Sequence, residues 1–175
     1  SLHKNHLVRT SFNTGVPTQD VVDFESAVAG PIVANSHLFF AVDSGFRVVK
    51  QSDLSHTFVP LDSLGTPQDM ALCKVSDDDF WGVLVGEDGK ISMRKFSVEN
   101  KADAKVALSK QKGYAQVSAV RNESFRVACT DLDRDGTVEA VMLGSRGTVA
   151  SIKLGEGKLT AEWVRDYKRG SRGTR

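Results

Sequence analysis

Three segments of the chain share one layout, in which an apolar run, a turn containing glycine and an alternating run follow one another. These segments lie at residues 38–49, 81–94 and 139–153. Their runs are rich in Val, Ile, Phe and Leu, which favour strands, and glycine supplies the positive φ angles that tight turns need. The three segments therefore predict three β-hairpins.

The hairpins recur at a regular interval. Residues 83–86 align with residues 141–144 at an offset of 58, and the same offset places Gly89 on Gly147. A period of roughly 45–58 residues with three to four short strands in each unit is typical of radial or stacked repeats, above all of β-propellers. We expect repeat units at about residues 15–50, 65–97 and 113–154.

The sequence thus predicts an all-β fold with about three propeller-like blades, in one domain over residues 1–167. A compact β-sandwich is the alternative. A closed propeller usually has four or more blades, and open sheet edges favour pairing with another segment. We therefore expect a piece of a larger propeller, a partner that supplies the remaining strands, or the sandwich.

Further strands are expected around the hairpins. Residues 65–70 echo residues 15–21 with one residue inserted, which predicts equivalent strands before the second and first hairpins. A last strand is expected at residues 159–164. Residues 100–111 contain three alanines and predict a short helix or a loop.

Composition limits the class of protein and its partners. The chain has 40% hydrophobic and 26% charged residues and a net charge of +1, which indicates a folded, soluble domain. No apolar run approaches the roughly 20 residues of a bilayer-spanning helix, so the sequence predicts no membrane span. Because the first residue is Ser1, we expect a processed chain or a part of a longer one.

The last eight residues, 168–175, form a basic tail that we expect to be flexible because Gly and Ser separate its charges. Without its four basic residues the chain has 19 basic and 22 acidic residues. Lysine and arginine neutralise phosphates, so the tail predicts possible contact with nucleic acid or an acidic partner. Its basic residues are Lys168, Arg169, Arg172 and Arg175.

Two cysteines, Cys73 and Cys129, each lie in an apolar run. Two cysteines are too few for a disulfide scaffold, and we expect two buried thiols in strands. That interpretation slightly favours a reducing intracellular compartment. The glycosylation sequon at residues 122–124 points the other way.

The stretch from residue 131 to residue 139 carries the most chemistry and reads D-x-D-x-D-G-x-x-E. Alternating carboxylates on a tight loop can supply the six to eight oxygens that Ca²⁺ prefers, and Gly136 permits a sharp turn. A turn without metal is the alternative, since Asp and Gly also bond their own backbone. An EF-hand would need Glu at loop position twelve, which is Met142 here. The predicted ligands are the side chains of Asp131, Asp133, Asp135 and Glu139 and the carbonyl of Thr137.

This acidic loop and the strands around it, clearest over residues 126–153, resemble the calcium-loop repeat of the FG-GAP/VCBS class found in integrin α-chain propellers. The resemblance implies a blade of a β-propeller with a calcium site. The Phe-Gly and Gly-Ala-Pro elements that name the class are absent, and Glu139 stands where Asp is usual. Residues 76–79 take the place of the loop in the second unit, without the turn glycine and the closing acid.

No catalytic set is recognisable in the sequence. The four histidines complete no zinc pattern, and a G-x-S-x-G elbow is absent. We therefore expect a non-catalytic interaction or scaffold module, a subunit or fragment of a larger assembly with other protein subunits as partners. The alternatives are a calcium-dependent binding domain and a nucleic-acid or ribonucleoprotein-associated protein that uses the basic tail.

Overall fold

A computed structural model describes residues 5–11, 17–24, 27–61, 66–101, 103–117 and 123–166. The described chain is built from strands, and the predicted all-β fold is confirmed. Its fifteen strands are β1 (Asn5–Ser11), β2 (Thr18–Phe24), β3 (Ala29–Ala34), β4 (His37–Val42), β5 (Gly45–Lys50), β6 (His56–Pro60), β7 (Pro67–Lys74), β8 (Asp79–Gly86), β9 (Lys90–Ser97), β10 (Ala107–Gln116), β11 (Phe125–Thr130), β12 (Glu139–Gly144), β13 (Thr148–Lys153), β14 (Gly157–Lys158) and β15 (Ala161–Asp166).

The strands form a two-stranded hairpin and three larger antiparallel sheets. Strands β1 and β2 form the N-terminal hairpin. Sheet I has the order β3-β4-β5-β6, sheet II has β7-β8-β9-β10, and sheet III has β11-β12-β13-β15. The short strand β14 adds to the β10 edge of sheet II in the parallel direction. Each sheet is thus a four-stranded meander in chain order, extended in sheet II by β14.

All three predicted hairpins are confirmed. They are β4–β5, β8–β9 and β12–β13, each with continuous antiparallel pairing. Gly89 and Gly147 end the second and third turns with positive φ angles of 68° and 99°, which glycine adopts at little cost. The aligned glycines of the repeat therefore serve equivalent turns.

One predicted strand equivalence and part of one helix-or-loop prediction are wrong. Strand β2 pairs with β1, and the strand that precedes the first hairpin in its own sheet is β3. The echo between residues 15–21 and 65–70 therefore marks no equivalent position. In the segment of residues 100–111, the described residues before Ala107 form no helix or strand, as the loop alternative expects. Residues 107–111 are instead the start of β10, where Ala107 and Leu108 pair with β9.

Each of the three sheets has one strand more at its C-terminal end than the repeat unit predicted for it (residues 15–50, 65–97 and 113–154). Sheet I ends with β6, sheet II with β10 and sheet III with β15, which is the last strand expected at residues 159–164. The outer strands are short or polar, and their burial patterns lack the continuous apolar run that made the central hairpins visible.

The sheets stack face to face through apolar layers. Leu7 and Val22 of the N-terminal hairpin pack on the Phe40 and Val49 face of sheet I. The opposite face of sheet I packs on sheet II, where Phe96 lies fully buried and stacks on Phe39, with ring centroids 5.3 Å apart.

The second face of sheet II packs on sheet III. Val83 and Met93 of sheet II share this layer with Met142 and Ile152 of sheet III, and all four are almost completely buried. Sheets I and II are therefore covered on both faces by described residues. At about 25 cal/mol per Å² of apolar surface, such layers are the main source of stability.

Among the described residues, no helix is long and apolar enough to cross a membrane.

Candidate metal centre

The acidic loop connects β11 to β12 in sheet III. The last pair of this ladder joins Thr130 to Glu139, so the loop starts at Asp131 directly beside its closing acid. Arg134 and Gly136 have positive φ angles of 64° and 85°, which fold the eight intervening residues tightly. The strands therefore bring the first and last acids of the stretch together.

Three of the predicted ligands converge. Asp131, Asp133 and Glu139 each present a carboxylate oxygen, and these oxygens lie within 4.8 Å of one another. Asp131 and Glu139 each have one carboxylate oxygen that accepts a hydrogen bond from a backbone amide of the loop. The Gly136 amide donates to Asp131 Oδ2 over 3.0 Å, and the Leu132 amide donates to Glu139 Oε2 over 2.8 Å.

Two oxygens of this cluster are buried and accept no hydrogen bond. They are Asp131 Oδ1 and Glu139 Oε1, and the Glu139 side chain is only 1% exposed. A buried carboxylate without partners is costly, and buried charges in proteins are normally paired or bind metal. The unpartnered oxygens and the oxygen-only donor set fit a hard cation, so this cluster can hold a metal ion.

Asp135 is a predicted ligand that the structure does not place in the cluster. Its Oδ1 accepts a hydrogen bond of 2.7 Å from the Thr137 amide, and its Oδ2 lies 3.5 Å from Lys153 Nζ. The hydrogen bonds from Thr137, and then the charge of Lys153, lower the pKa of Asp135 below its ordinary value. Both carboxylate oxygens of Asp135 thus contact other residues of the protein, one the Thr137 amide and the other Lys153 on β13.

Thr137 is expected to offer its backbone carbonyl to the metal, and that role stays a prediction. The contact described for Thr137 is the hydrogen bond that its amide donates to Asp135.

The corresponding loop of the second unit is different, because its Asp77 forms an ion pair of 2.8 Å with Lys74 and is 96% exposed. Among the described residues, Asp131, Asp133 and Glu139 form the one group of three or more His, Cys, Asp or Glu side chains that can hold a metal ion.

The expectation of two separate buried thiols is wrong. Cys73 on β7 and Cys129 on β11 form a disulfide, with Cα atoms 5.2 Å apart. Each strand is the first of its sheet, and β7 and β11 lie side by side where sheets II and III meet. The cysteines are 56 residues apart in sequence, and only the adjacency of β7 and β11 brings them together.

The basic tail of residues 168–175 lies outside the described residues, as does His3. His6 pairs with Asp23 over 2.7 Å, and His37 Nδ1 donates to the Asn35 carbonyl over 2.8 Å. These two imidazoles are therefore engaged in structural contacts away from the acidic loop.

Comparison with protein-family models and with curated proteins found no match for this chain.

Proposed function

We propose that this chain is a calcium-binding β-repeat module whose acidic loop in sheet III holds one Ca²⁺ ion. The observation that carries this proposal is the pair of buried carboxylate oxygens without hydrogen-bond partners, Asp131 Oδ1 and Glu139 Oε1. A cation between them and the Asp133 carboxylate offsets the cost of burying the charges.

Calcium suits this donor set better than the other common ions. All three side chains offer hard oxygen ligands, with no imidazole or thiolate for a transition metal. Ca²⁺ accepts irregular, flexible sets of oxygens, including backbone carbonyls and water, whereas Mg²⁺ demands a near-ideal octahedron. The carbonyl of Thr137 and water molecules would complete the coordination, as the sequence pattern predicts.

The resemblance to the FG-GAP/VCBS repeat supports the same proposal. Three stacked meanders of four strands, each with its first strand near the neighbouring first strand, are what blades of a propeller would provide. We therefore propose that sheets I to III are blades of a partial propeller and that the acidic loop is its calcium loop.

Calcium binding is tested by isothermal titration calorimetry of the purified chain. We expect one site with a Kd below about 1 mM, the range of extracellular calcium modules, and weaker binding of Mg²⁺. The variant Asp133→Asn loses a charged ligand and should bind Ca²⁺ at least about tenfold more weakly, which corresponds to about 1.4 kcal/mol.

Asp77→Asn is the matched control, because Asp77 is an exposed acid in the corresponding turn of sheet II. It should bind Ca²⁺ as the unsubstituted chain does. Equal heats for all three proteins, or no saturable heat in any of them, would contradict the proposal.

A second candidate function is a protein-interaction or scaffold module, and it is favoured by the outer face of sheet III, which is exposed among the described residues. Register places Arg126, Leu143, Val149 and Arg165 in one row across the four strands. Leu143 is 54% exposed and both arginines are exposed, whereas the corresponding faces of sheets I and II are covered. The row has an apolar centre between Arg126 and Arg165, and Arg126 also forms an ion pair of 3.6 Å with Asp69. The row therefore fits a protein partner with an apolar surface and an acidic group opposite Arg165.

This surface is tested with tagged chains in the native source, by the mass and stoichiometry of the purified assembly. Leu143→Glu places a charge in the apolar centre of the row and should release the partner. Val33→Glu is the control, since Val33 is 63% exposed on sheet I. A lone monomer of about 19.0 kDa for the unsubstituted chain, or an intact complex with Leu143→Glu, would refute this function.

The disulfide bears on where such a module works. Disulfides persist in oxidising compartments and are rare where glutathione keeps thiols reduced. We therefore propose an oxidising compartment, in place of the reducing one that the thiol interpretation favoured. Extracellular calcium modules, which have Kd values of about 0.1–1 mM, work in such compartments.

A further inference from the structure

The disulfide lies at the base of the acidic loop. Strand β7 ties β11 at alternate residues: Gln68 Oε1 accepts a hydrogen bond from the Phe125 amide over 2.8 Å, and Asp69 Oδ2 accepts one from the Val127 amide over 3.0 Å. The next alternate residue, Cys129, is tied covalently to β7. The one after that is Asp131, the first predicted ligand.

We propose that the Cys73–Cys129 disulfide is a redox control of the metal site: its reduction weakens Ca²⁺ binding, and bound Ca²⁺ in turn protects the disulfide from reduction. This inference rests on the calcium site proposed above. It assigns the two cysteines a positioning role, because neither of them contacts the ion.

The coupling follows from the pairing around Cys129. Cys129 pairs with Ala140 and Thr130 pairs with Glu139, so both ends of the acidic loop are fixed to the last two residues of β11. Two thiol sulfurs cannot remain at the bonded distance, so on reduction either a cysteine side chain rotates or β11 shifts relative to β7. Because Cys73 is fully buried and closely packed, we infer a shift of β11 at Cys129, which reaches Asp131 two residues on and Glu139 through its pairing with Thr130.

The close packing around Cys73 and Glu139 would transmit a shift of β11 to the metal ligands. Cys73 is fully buried among the side chains between sheets II and III. Glu139 is buried as well, with one oxygen fixed by the Leu132 amide, so its carboxylate has little freedom to follow a moving loop. Close-packed interiors transmit small shifts instead of absorbing them.

The redox step is an ordinary thiol–disulfide exchange with a dithiol such as dithiothreitol. One dithiothreitol thiolate attacks a sulfur of the pair, of which Cys129 is the less buried, and displaces the other cysteine as a thiolate. The second dithiothreitol thiol then resolves the mixed disulfide. The protein gains two electrons and two protons, and dithiothreitol becomes a cyclic disulfide.

The first test measures the Kd for Ca²⁺ by calorimetry, for the oxidised chain, the chain reduced with dithiothreitol and the double variant Cys73→Ala/Cys129→Ala. We expect the reduced chain and the double variant to bind about fivefold or more weakly than the oxidised chain, the lower end of ordinary allosteric couplings. The double variant needs no reductant, so it separates loss of the bond from any effect of dithiothreitol on calcium. Equal Kd values for oxidised and reduced protein would overturn the inference and leave the calcium site itself intact.

The second test needs no variant of the cysteines and so does not depend on whether that variant folds. The fraction of reduced native chain is measured by thiol alkylation and mass spectrometry across a dithiothreitol series, with CaCl₂ or with EGTA. Because coupling is reciprocal, saturating Ca²⁺ should raise the ratio of reduced to oxidised dithiothreitol at half-reduction by the same factor by which reduction raises the Kd for Ca²⁺. Asp133→Asn should remove this protection and Asp77→Asn should keep it.

The outcomes separate the two proposals. If calcium binds the oxidised chain but protects nothing, the redox control fails alone. If calcium does not bind the oxidised chain at all, the proposed site fails and the redox control fails with it.

Discussion

Replacing both cysteines by alanine should lower the free energy of unfolding of the chain by about 4 kcal/mol, the chain-entropy value for a bond that closes a loop of this length. The bond joins residues separated by 56 positions in sequence, so its loss frees a long segment of the unfolded chain. Alanine is the suitable replacement because Cys73 is fully buried and serine would bring an unpartnered hydroxyl into the core.

The change is measured by denaturant unfolding in EGTA, so that calcium contributes nothing. The oxidised and reduced forms of the unsubstituted chain serve as the internal comparison, since reduction should produce a loss close to that of the double variant. A loss below about 1 kcal/mol in both would contradict this prediction, since the constraint on the unfolded chain would then contribute little to stability.

The variant Glu139→Gln should have opposite effects on stability with and without calcium. In EGTA the substitution removes a buried charge whose Oε1 has no hydrogen-bond partner, and it keeps an oxygen that can accept the hydrogen bond from the Leu132 amide, so the variant should be more stable than the unsubstituted chain. In calcium at ten times Kd, the unsubstituted chain gains about 1.4 kcal/mol from binding, and the variant should lose most of that gain.

Melting temperatures by calorimetry in CaCl₂ and in EGTA give the four values that this prediction needs. Asp77→Asn is again the control and should show the same calcium-dependent rise as the unsubstituted chain. A variant that is less stable than the unsubstituted chain in both media, by the same amount, would show that Glu139 has a structural role without a cation.

The parts of the fold that could be predicted are those where local chemistry and tertiary contacts agree. In the central hairpins, residues such as Val83 and Ile91 face the core from strands whose turn needs Gly89 at positive φ, and both signals lie within a few residues. Strand β10 is different, because its start at Ala107 follows an alanine-containing segment with no strand pattern, and pairing with β9 makes it a strand. The similarity between residues 15–21 and 65–70 also assigned β2 to the sheet of the first hairpin. Strand β2 pairs instead with β1, which the sequence pattern did not predict as a strand.

The candidate site could be predicted in its ligand types but not in its full membership. The alternation of Asp131 and Asp133 with a closing Glu139 places three carboxylates together because the hairpin ladder returns the chain to its start. Asp135 lies outside this group of three, and its carboxylate contacts the Thr137 amide and Lys153 on the neighbouring strand. The disulfide was missed for a related reason, since two cysteines 56 residues apart reveal their proximity only when β7 and β11 are adjacent.

The most direct test of the calcium site is a crystal structure of the chain grown in CaCl₂, with data collected for the anomalous signal of calcium. We expect one anomalous peak at the base of the acidic loop, about 2.3–2.6 Å from an oxygen of each of Asp131, Asp133 and Glu139. A structure from the same crystals with no peak there, and with Asp131 Oδ1 and Glu139 Oε1 hydrogen-bonded to water or protein instead, would contradict a calcium-binding role for this chain.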